Sequence, residues 1–148
     1  MITYRDMIAL DIPVLVGLEK SIFPESPWSA AQFREELSGV PRTRKYVVAL
    51  EENELIGYAG IALAGDVADI HTLTVIPTHR RRGIASEMLR QLESWAMEKG
   101  IHAFMLEMRE GNAEAQPLYE KHGYSIVSRR DNYYAPGIHA LIMRKELA

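Results

Sequence analysis

The sequence predicts a mixed α/β fold, and three observations carry the prediction. Tyr46 to Leu50, Leu55 to Leu63 and Val67 to Val75 are rich in Val, Ile, Leu and Tyr, with turn-forming Glu52-Asn53 and Gly65-Asp66 between them, the pattern of an antiparallel meander. From Gly83 to Lys99 the apolar residues Ile84, Ala85, Met88, Leu89, Leu92, Trp95 and Ala96 keep helical spacing. Strand-like runs then resume on either side of a short helical segment.

The flanking elements follow in order. Ile2 to Arg5 suits a first short strand. Asp11-Ile12-Pro13 is a helix entry, with Asp as the cap and Pro in the first turn, leading to Val14, Leu15, Leu18 and Ile22 on one face and stopping before Pro24. Ser29 and Gln32 form a capping box for a second helix running to about Leu37, with Trp28 and Phe33 spaced as a hydrophobic staple. Gly100 suits the left-handed stop of the long helix. After it come a strand from His102 to Met108, a helix opened by Asn112 and closed by Lys121, His122 and Gly123, and strands near Tyr124 to Arg129 and Ile138 to Arg144. His122 suits a helix C-terminus as a cation.

Composition narrows the function. A chain of 148 residues with 47% apolar and 25% charged side chains fits one globular domain over residues 1–148. No run approaches the roughly 18 apolar residues of a membrane span, and the start MITYRDMIALD lacks signal-peptide order, so a cytoplasmic protein with no membrane partner is expected. With no Cys, disulfides, thiolate metal sites and a Cys nucleophile are excluded. A net charge of −3 argues against non-specific nucleic-acid binding. The five histidines show no metal-ligand spacing, and no metal is expected.

The segment Val75-Ile76-Pro77-Thr78-His79-Arg80-Arg81-Arg82-Gly83-Ile84-Ala85 leads from a strand into the long helix. A helix start offers unpaired N–H groups and the positive end of the macrodipole, and small residues there admit a phosphate to the backbone. Three arginines add a basic rim, although a solvated basic loop has the same spacing. Glu107 interrupts the apolar run Ala103 to Met108, and either strand alternation towards solvent or chemistry accounts for it. Tyr119 fits either a core position or a reactive one, and Asn112 fits a helix cap.

Arg80-x-x-Gly83-x-Ala85 after Leu73-Thr74-Val75, followed by Asn112, Leu118-Tyr119-Glu120 and Gly123-Tyr124, resembles the GNAT superfamily of N-acetyltransferases over roughly residues 45 to 130. Pro27-Trp28-Ser29, Leu106-Glu107-Met108-Arg109 and Arg130-Asp131-Asn132-Tyr133-Tyr134 are similar to the bacterial ribosomal-protein-alanine acetyltransferases of RimI type. The resemblance implies a central, mostly antiparallel sheet of six to seven strands, flanked by about four helices and splayed between strands 4 and 5. It implies acetyl-CoA as co-substrate, held by Leu73, Thr74 and Val75, by Arg80, Arg81 and Arg82, by Gly83, Ile84, Ala85 and Ser86, and by Asn112, with a bulge in the strand that ends at Val75. It gives Glu107 the role of base and Tyr119 that of acid to the departing thiolate. Trp28, Arg130, Asn132, Tyr133 and Tyr134 would flank the acceptor, a polypeptide N-terminus of a ribosomal protein, and the enzyme would act as a monomer without nucleic acid. A small amine, a lysine side chain or non-catalytic acyl-CoA binding are the alternatives.

With no Cys, no acetyl-Cys intermediate can form, which favours direct attack in a ternary complex. Glu is a weak base for an ammonium, so either partial burial raising its pKa or a water relay is expected. Pro117 would break a helix begun at Asn112, which predicts a late start or a bulge there. Arg80 stands where many members of the superfamily carry Gln.

Overall fold

The computed structural model describes residues 1–147. Seven strands, β1 (Ile2–Asp6), β2 (Arg44–Glu51), β3 (Glu54–Ala64), β4 (Val67–Val75), β5 (Ala103–Arg109), β6 (Ser125–Ala135) and β7 (Ile138–Glu146), form one sheet in the order β1-β2-β3-β4-β5-β7-β6. Every neighbouring pair is antiparallel except β4 and β5. The helices are α1 (Ile12–Ile22), α2 (Ala30–Leu37), α3 (Ile84–Glu98) and α4 (Ala115–Lys121).

The meander arises where the sequence places its turns: Glu52 and Asn53 both take left-handed φ, of 51° and 66°, as a two-residue hairpin turn requires. Strand alternation then sorts the core into two layers. Val47 and Ala49 face α3, whose Met88, Leu89, Leu92 and Ala96 are fully buried, and α4 joins that layer through Tyr119. Tyr46, Val48 and Tyr58 face α1 and α2, meeting Ile12, Leu15 and Phe33. Each large side chain sealed in this way contributes about 1.5–3 kcal/mol. Ile56 lies on the α3 layer, out of phase with Tyr58, because the β2–β3 register shifts beside it, pairing Ala49 with Gly57 but Leu50 with Leu55.

Gly60 is dictated by its register partner. The Tyr46 ring lies across it, so that a Cβ at residue 60 would fall 2.0 Å from Tyr46 Cε2. A second register shift places His71 as the extra residue of β4, between Ile70, paired with Ile61, and Thr72, paired with Gly60. The bulge that the resemblance implied is therefore present, just ahead of Leu73.

The β4–β5 pairing lasts three residues, from Ala68↔Phe104 to Ile70↔Leu106. Beyond it β4 stays paired with β3 and β5 with β7, and the two strands part. This is the splay between strands 4 and 5.

The capping box of α2 forms as expected, Ser29 Oγ accepting from Gln32 N–H and Gln32 Oε1 from Ser29 N–H, and Trp28 stacks on Phe33 at 5.2 Å. Three expectations need correction. Asp11 does not cap α1: its carboxylate accepts from Ile8 N–H at 2.9 Å and pairs with the Arg5 guanidinium, holding the turn before the helix. Val14 is 52% exposed, and the inward face of α1 is Ile12, Leu15 and Glu19. Strand β6 runs to Ala135 rather than ending near Arg129, because its hairpin with β7 extends to Ala135↔Ile138. Among the described residues no helix is long and apolar enough to cross a membrane.

Candidate active site

The first cleft, about 470 Å³, opens where β4 hands over to α3. Gly83, at φ +79°, turns the chain into the helix in a conformation that side chains resist. The first bond of α3 runs from Glu87 N–H to Gly83 O at 3.1 Å, so the amides of Ile84, Ala85 and Ser86 precede it and are free to donate at the positive helix end. Leu73, Thr74 and Val75 form one wall. Arg80 and Arg81 also line the cleft; Arg80 Nε donates to Val75 O at 3.1 Å, which ties the loop to the strand end. Arg82 is not brought there: its guanidinium pairs with Glu51 at 2.8 Å. The basic rim is therefore two arginines rather than three.

The opposite wall is α4. Asn112 Oδ1 accepts from Glu114 N–H at 3.2 Å and Ala115 N–H at 3.1 Å, so it caps the helix and lines the cleft together. The helix begins at Ala115, not at Asn112, which puts Pro117 third in the helix, within the first turn. There its missing N–H costs no hydrogen bond. The late start also aims Tyr119, which is 7% exposed and packs edge-on to Tyr124 at 5.9 Å, into the cleft. Burial first, and nearby Tyr134 second, push the Tyr119 hydroxyl well above its ordinary pKa, so it remains a proton donor. His122 does not serve as the expected cation: burial lowers its pKa, and Nε2 bonds Ser86 Oγ at 2.9 Å.

The second cleft, about 600 Å³, is lined by Trp28, Glu107, Arg130, Tyr133 and Tyr134, together with Glu36 and His71. Glu107 is open to it, its side chain 36% exposed and 3.6 Å from Arg130 Nη1. About a third of the Glu107 side chain is thus open to the cleft. Beside it the Tyr133 hydroxyl has its pKa raised by the hydrogen bond to Glu107. Arg130 covers the Tyr133 ring at 5.1 Å and Arg109 the Tyr134 ring at 4.8 Å, which stiffens this wall. Asn132 is not among the lining residues. Held at φ 56°, it accepts from Gly137 N–H at 2.7 Å and donates N–H to His139 at 2.9 Å, shaping the hairpin that carries the tyrosines.

Sequence reasoning missed two buried networks. Glu19, 3% exposed, accepts from Trp28 N–H at 2.8 Å and from the Tyr58 hydroxyl, fixing the loop before α2; its pKa is raised, chiefly by burial. The signal was the i, i+3, i+7 face Ile12, Leu15, Glu19, in which the carboxylate sits on the apolar stripe. Glu36 Oε1 is met by Arg44 Nε at 2.7 Å, Tyr46 hydroxyl at 2.9 Å and His71 Nδ1 at 2.9 Å. Nothing local in the sequence joins those four residues.

The two clefts adjoin along β4, which gives Asp69, Ile70 and His71 to one and Leu73, Thr74 and Val75 to the other. They adjoin where β4 and β5 part. Among the described residues no cluster of His, Asp and Glu could hold a metal ion.

Comparison with known proteins bears on the family and the fold. The family described as acetyltransferase (GNAT) matches residues 14–124. The N-alpha-acetyltransferase RimI of Mycobacterium tuberculosis is 35% identical over 151 residues, covering 98% of this chain and 92% of that protein. The [ribosomal protein bS18]-alanine N-acetyltransferase of Haemophilus influenzae is 36% identical over 85 residues, 57% of this chain and 58% of that protein. The crystal structure of the ribosomal-protein-S18-alanine N-acetyltransferase from Escherichia coli superposes with a TM-score of 0.86 at 24% identity, over 100% of this chain and 95% of that one. An uncharacterized protein of Mycobacterium leprae is 35% identical over 142 residues, and this chain spans 38% of its length.

Proposed function

The chain belongs to the acetyltransferase (GNAT) family, and from that premise we propose that it transfers the acetyl group of acetyl-CoA to the N-terminal α-amine of a protein, the N-terminal alanine of a ribosomal protein. The observation that carries this reading is the meeting of two unlike clefts at one strand: an amide-rich, arginine-edged cleft with Tyr119, and an aromatic, carboxylate-bearing groove with Glu107. The relatives named for α-amine acetylation supply the acceptor class.

In this reading the pyrophosphate of acetyl-CoA lies on the amides of Ile84, Ala85 and Ser86 with Arg80 and Arg81 beside it, and the thioester rests along Leu73 to Val75, where backbone N–H groups meet the charge developing on the carbonyl oxygen. The α-amine enters from the groove. Its nitrogen attacks the thioester carbon, the C–N bond forms, the C–S bond breaks, and Tyr119 gives its proton to the thiolate. Glu107 accepts a proton from the nitrogen, directly or through one water. Trp28, Arg130, Tyr133 and Tyr134 border the acceptor chain, while Asn132 and Arg82 act only by holding the walls. The same reading makes residues 1–148 one domain, and the enzyme a cytoplasmic monomer with no nucleic-acid or membrane partner.

The test is to incubate the protein with acetyl-CoA and peptides beginning Ala-Arg, Gly, Ser or Met, or carrying an internal Lys, and to locate the acetyl group by mass spectrometry. Acetyl on the α-amine of the alanine peptide is expected. Acetyl on internal lysine alone would overturn the reading.

A further inference from the structure

The reaction just proposed removes two protons from the acceptor nitrogen, since an ammonium enters and a secondary amide leaves. Only one of them is replaced on the sulfur side by the Tyr119 proton. Glu107, open to water, accounts for one acceptor. We infer that His71 is the other: its Nε2 takes the first proton from the incoming ammonium, and Glu36 is the positioning residue that holds it ready.

His71 sits at the decisive place in the sheet. The last paired residues of β4 and β5 are Ile70 and Leu106, so His71 and Glu107 are the next residue on each side of the opening, and both line the same groove. The bulge makes His71 the extra residue of β4, a device that re-aims a side chain beside a site. Its ring is held from the far side. Nδ1 is 2.9 Å from Glu36 Oε1 and 3.2 Å from the Tyr46 hydroxyl, while that hydroxyl itself donates to Glu36 at 2.9 Å.

The tautomer follows from this bonding. The single tyrosine proton goes to Glu36, so Nδ1 bonds the carboxylate as an N–H donor, and the unprotonated lone pair of the neutral ring is on Nε2. The His71 side chain is 27% exposed and lines the groove. A carboxylate-oriented imidazole is well suited to accept a proton near neutrality, better than a carboxylate facing an ammonium. The charges around it are Glu35 and Glu36 on α2, Arg44 on β2, Asp69 on its own strand, Glu107 on β5 and Arg130 on β6. The step balances: the ammonium proton moves to Nε2, the free amine attacks, the second nitrogen proton passes to Glu107, and both acceptors return their protons to solvent while Tyr119 is reprotonated.

The inference rests on the proposed activity, and the test separates the two. kcat and KM for the alanine peptide are measured from pH 6 to 9.5 for the wild type, His71→Asn, His71→Ala and Glu36→Gln, with CoA binding by calorimetry as a check on the fold. His71→Asn is expected to lose about 10-fold at pH 7, the factor by which an amine of pKa about 7.7–8.0 is still protonated there. The loss shrinks above pH 8, where the amine arrives already deprotonated. Glu36→Gln shows a smaller loss of the same pH shape, and imidazole added to His71→Ala restores rate. A loss in either variant that is equal at every pH, or confined to KM, would overturn the role of His71 while leaving the acetyltransferase reading intact. A wild type that acetylates no α-amine would overturn both.

Discussion

Gly60→Ala tests how the acceptor groove is built. The added methyl would sit 2.0 to 2.4 Å from three atoms of the Tyr46 ring, closer than any real contact, so the ring must leave its place. Tyr46 is 1% exposed and its hydroxyl donates to Glu36 at 2.9 Å, so displacement breaks a bond to a charged group inside the core. Overpacking costs about 1–3 kcal/mol and the lost charged hydrogen bond about 1.5–3 kcal/mol. The lower chain entropy of unfolded Ala offsets about 0.4–1 kcal/mol. The net is about 3 kcal/mol, which for a domain of this size lowers Tm by roughly 6–12 °C. Thermal and urea unfolding would measure it, with Tyr46→Val as a second background in which the penalty should largely vanish. The same variant should lower kcat with the acceptor peptide while CoA affinity holds, because the displaced hydroxyl belongs to the Glu36–His71 network on the groove side. A shift below about 2 °C, or an equal loss with and without Tyr46, would refute the reasoning.

The remaining predictions follow from the two clefts and from Glu19. Glu107→Gln should lower kcat about 10²-fold at every pH from 6 to 9.5, because Glu107 takes the second proton, after attack; a kcat unchanged by the substitution removes Glu107 from the chemistry. Tyr119→Phe should lower kcat about 10²-fold with CoA affinity retained by calorimetry; a substrate with a more acidic thiol as leaving group should be less affected, and equal losses on both would remove the acid role. Gly83→Ala, at φ +79° with open space around the new methyl, should cost about 1–2 kcal/mol of backbone strain and weaken CoA binding, read by thermal unfolding and titration. Burial raises the pKa of Glu19, so its stabilising contribution is full below the ordinary Glu value and is lost as pH rises through the raised one. Glu19→Gln, which does not titrate, should therefore gain stability relative to the wild type between pH 4 and 7. A pH-independent difference in urea midpoints contradicts this.

What could be read from the sequence was local or periodic. The bounds of β4, the box Ser29/Gln32, the staple of Trp28 on Phe33 and the stop at Gly100 each depend on residues a few positions apart. The late start of α4 was legible in Pro117, because ring sterics act on the preceding turn. The groove was only half legible. Glu36, Tyr46 and His71 are joined across as many as 35 residues, and a carboxylate on an exposed-looking helix face gives no hint of its partners. Asn132 and Arg82 carried a recognisable pattern, yet hairpin geometry turned one to Gly137 and a surface ion pair turned the other to Glu51. Charge pattern states which groups are available, and the sheet decides which way they look.

A sheet interrupted after three rungs leaves the stretch Leu73 to Val75 paired with β3 on one side only, its other edge open to the cleft. Such an edge on the outside of a protein invites stray pairing; here α4 forms the facing wall and keeps other strands away. The ladder turns the Thr74 amide to β3 and leaves that of Leu73 on the open edge, so a proline at residue 73 would delete a donor there while a proline at residue 74 would break the sheet.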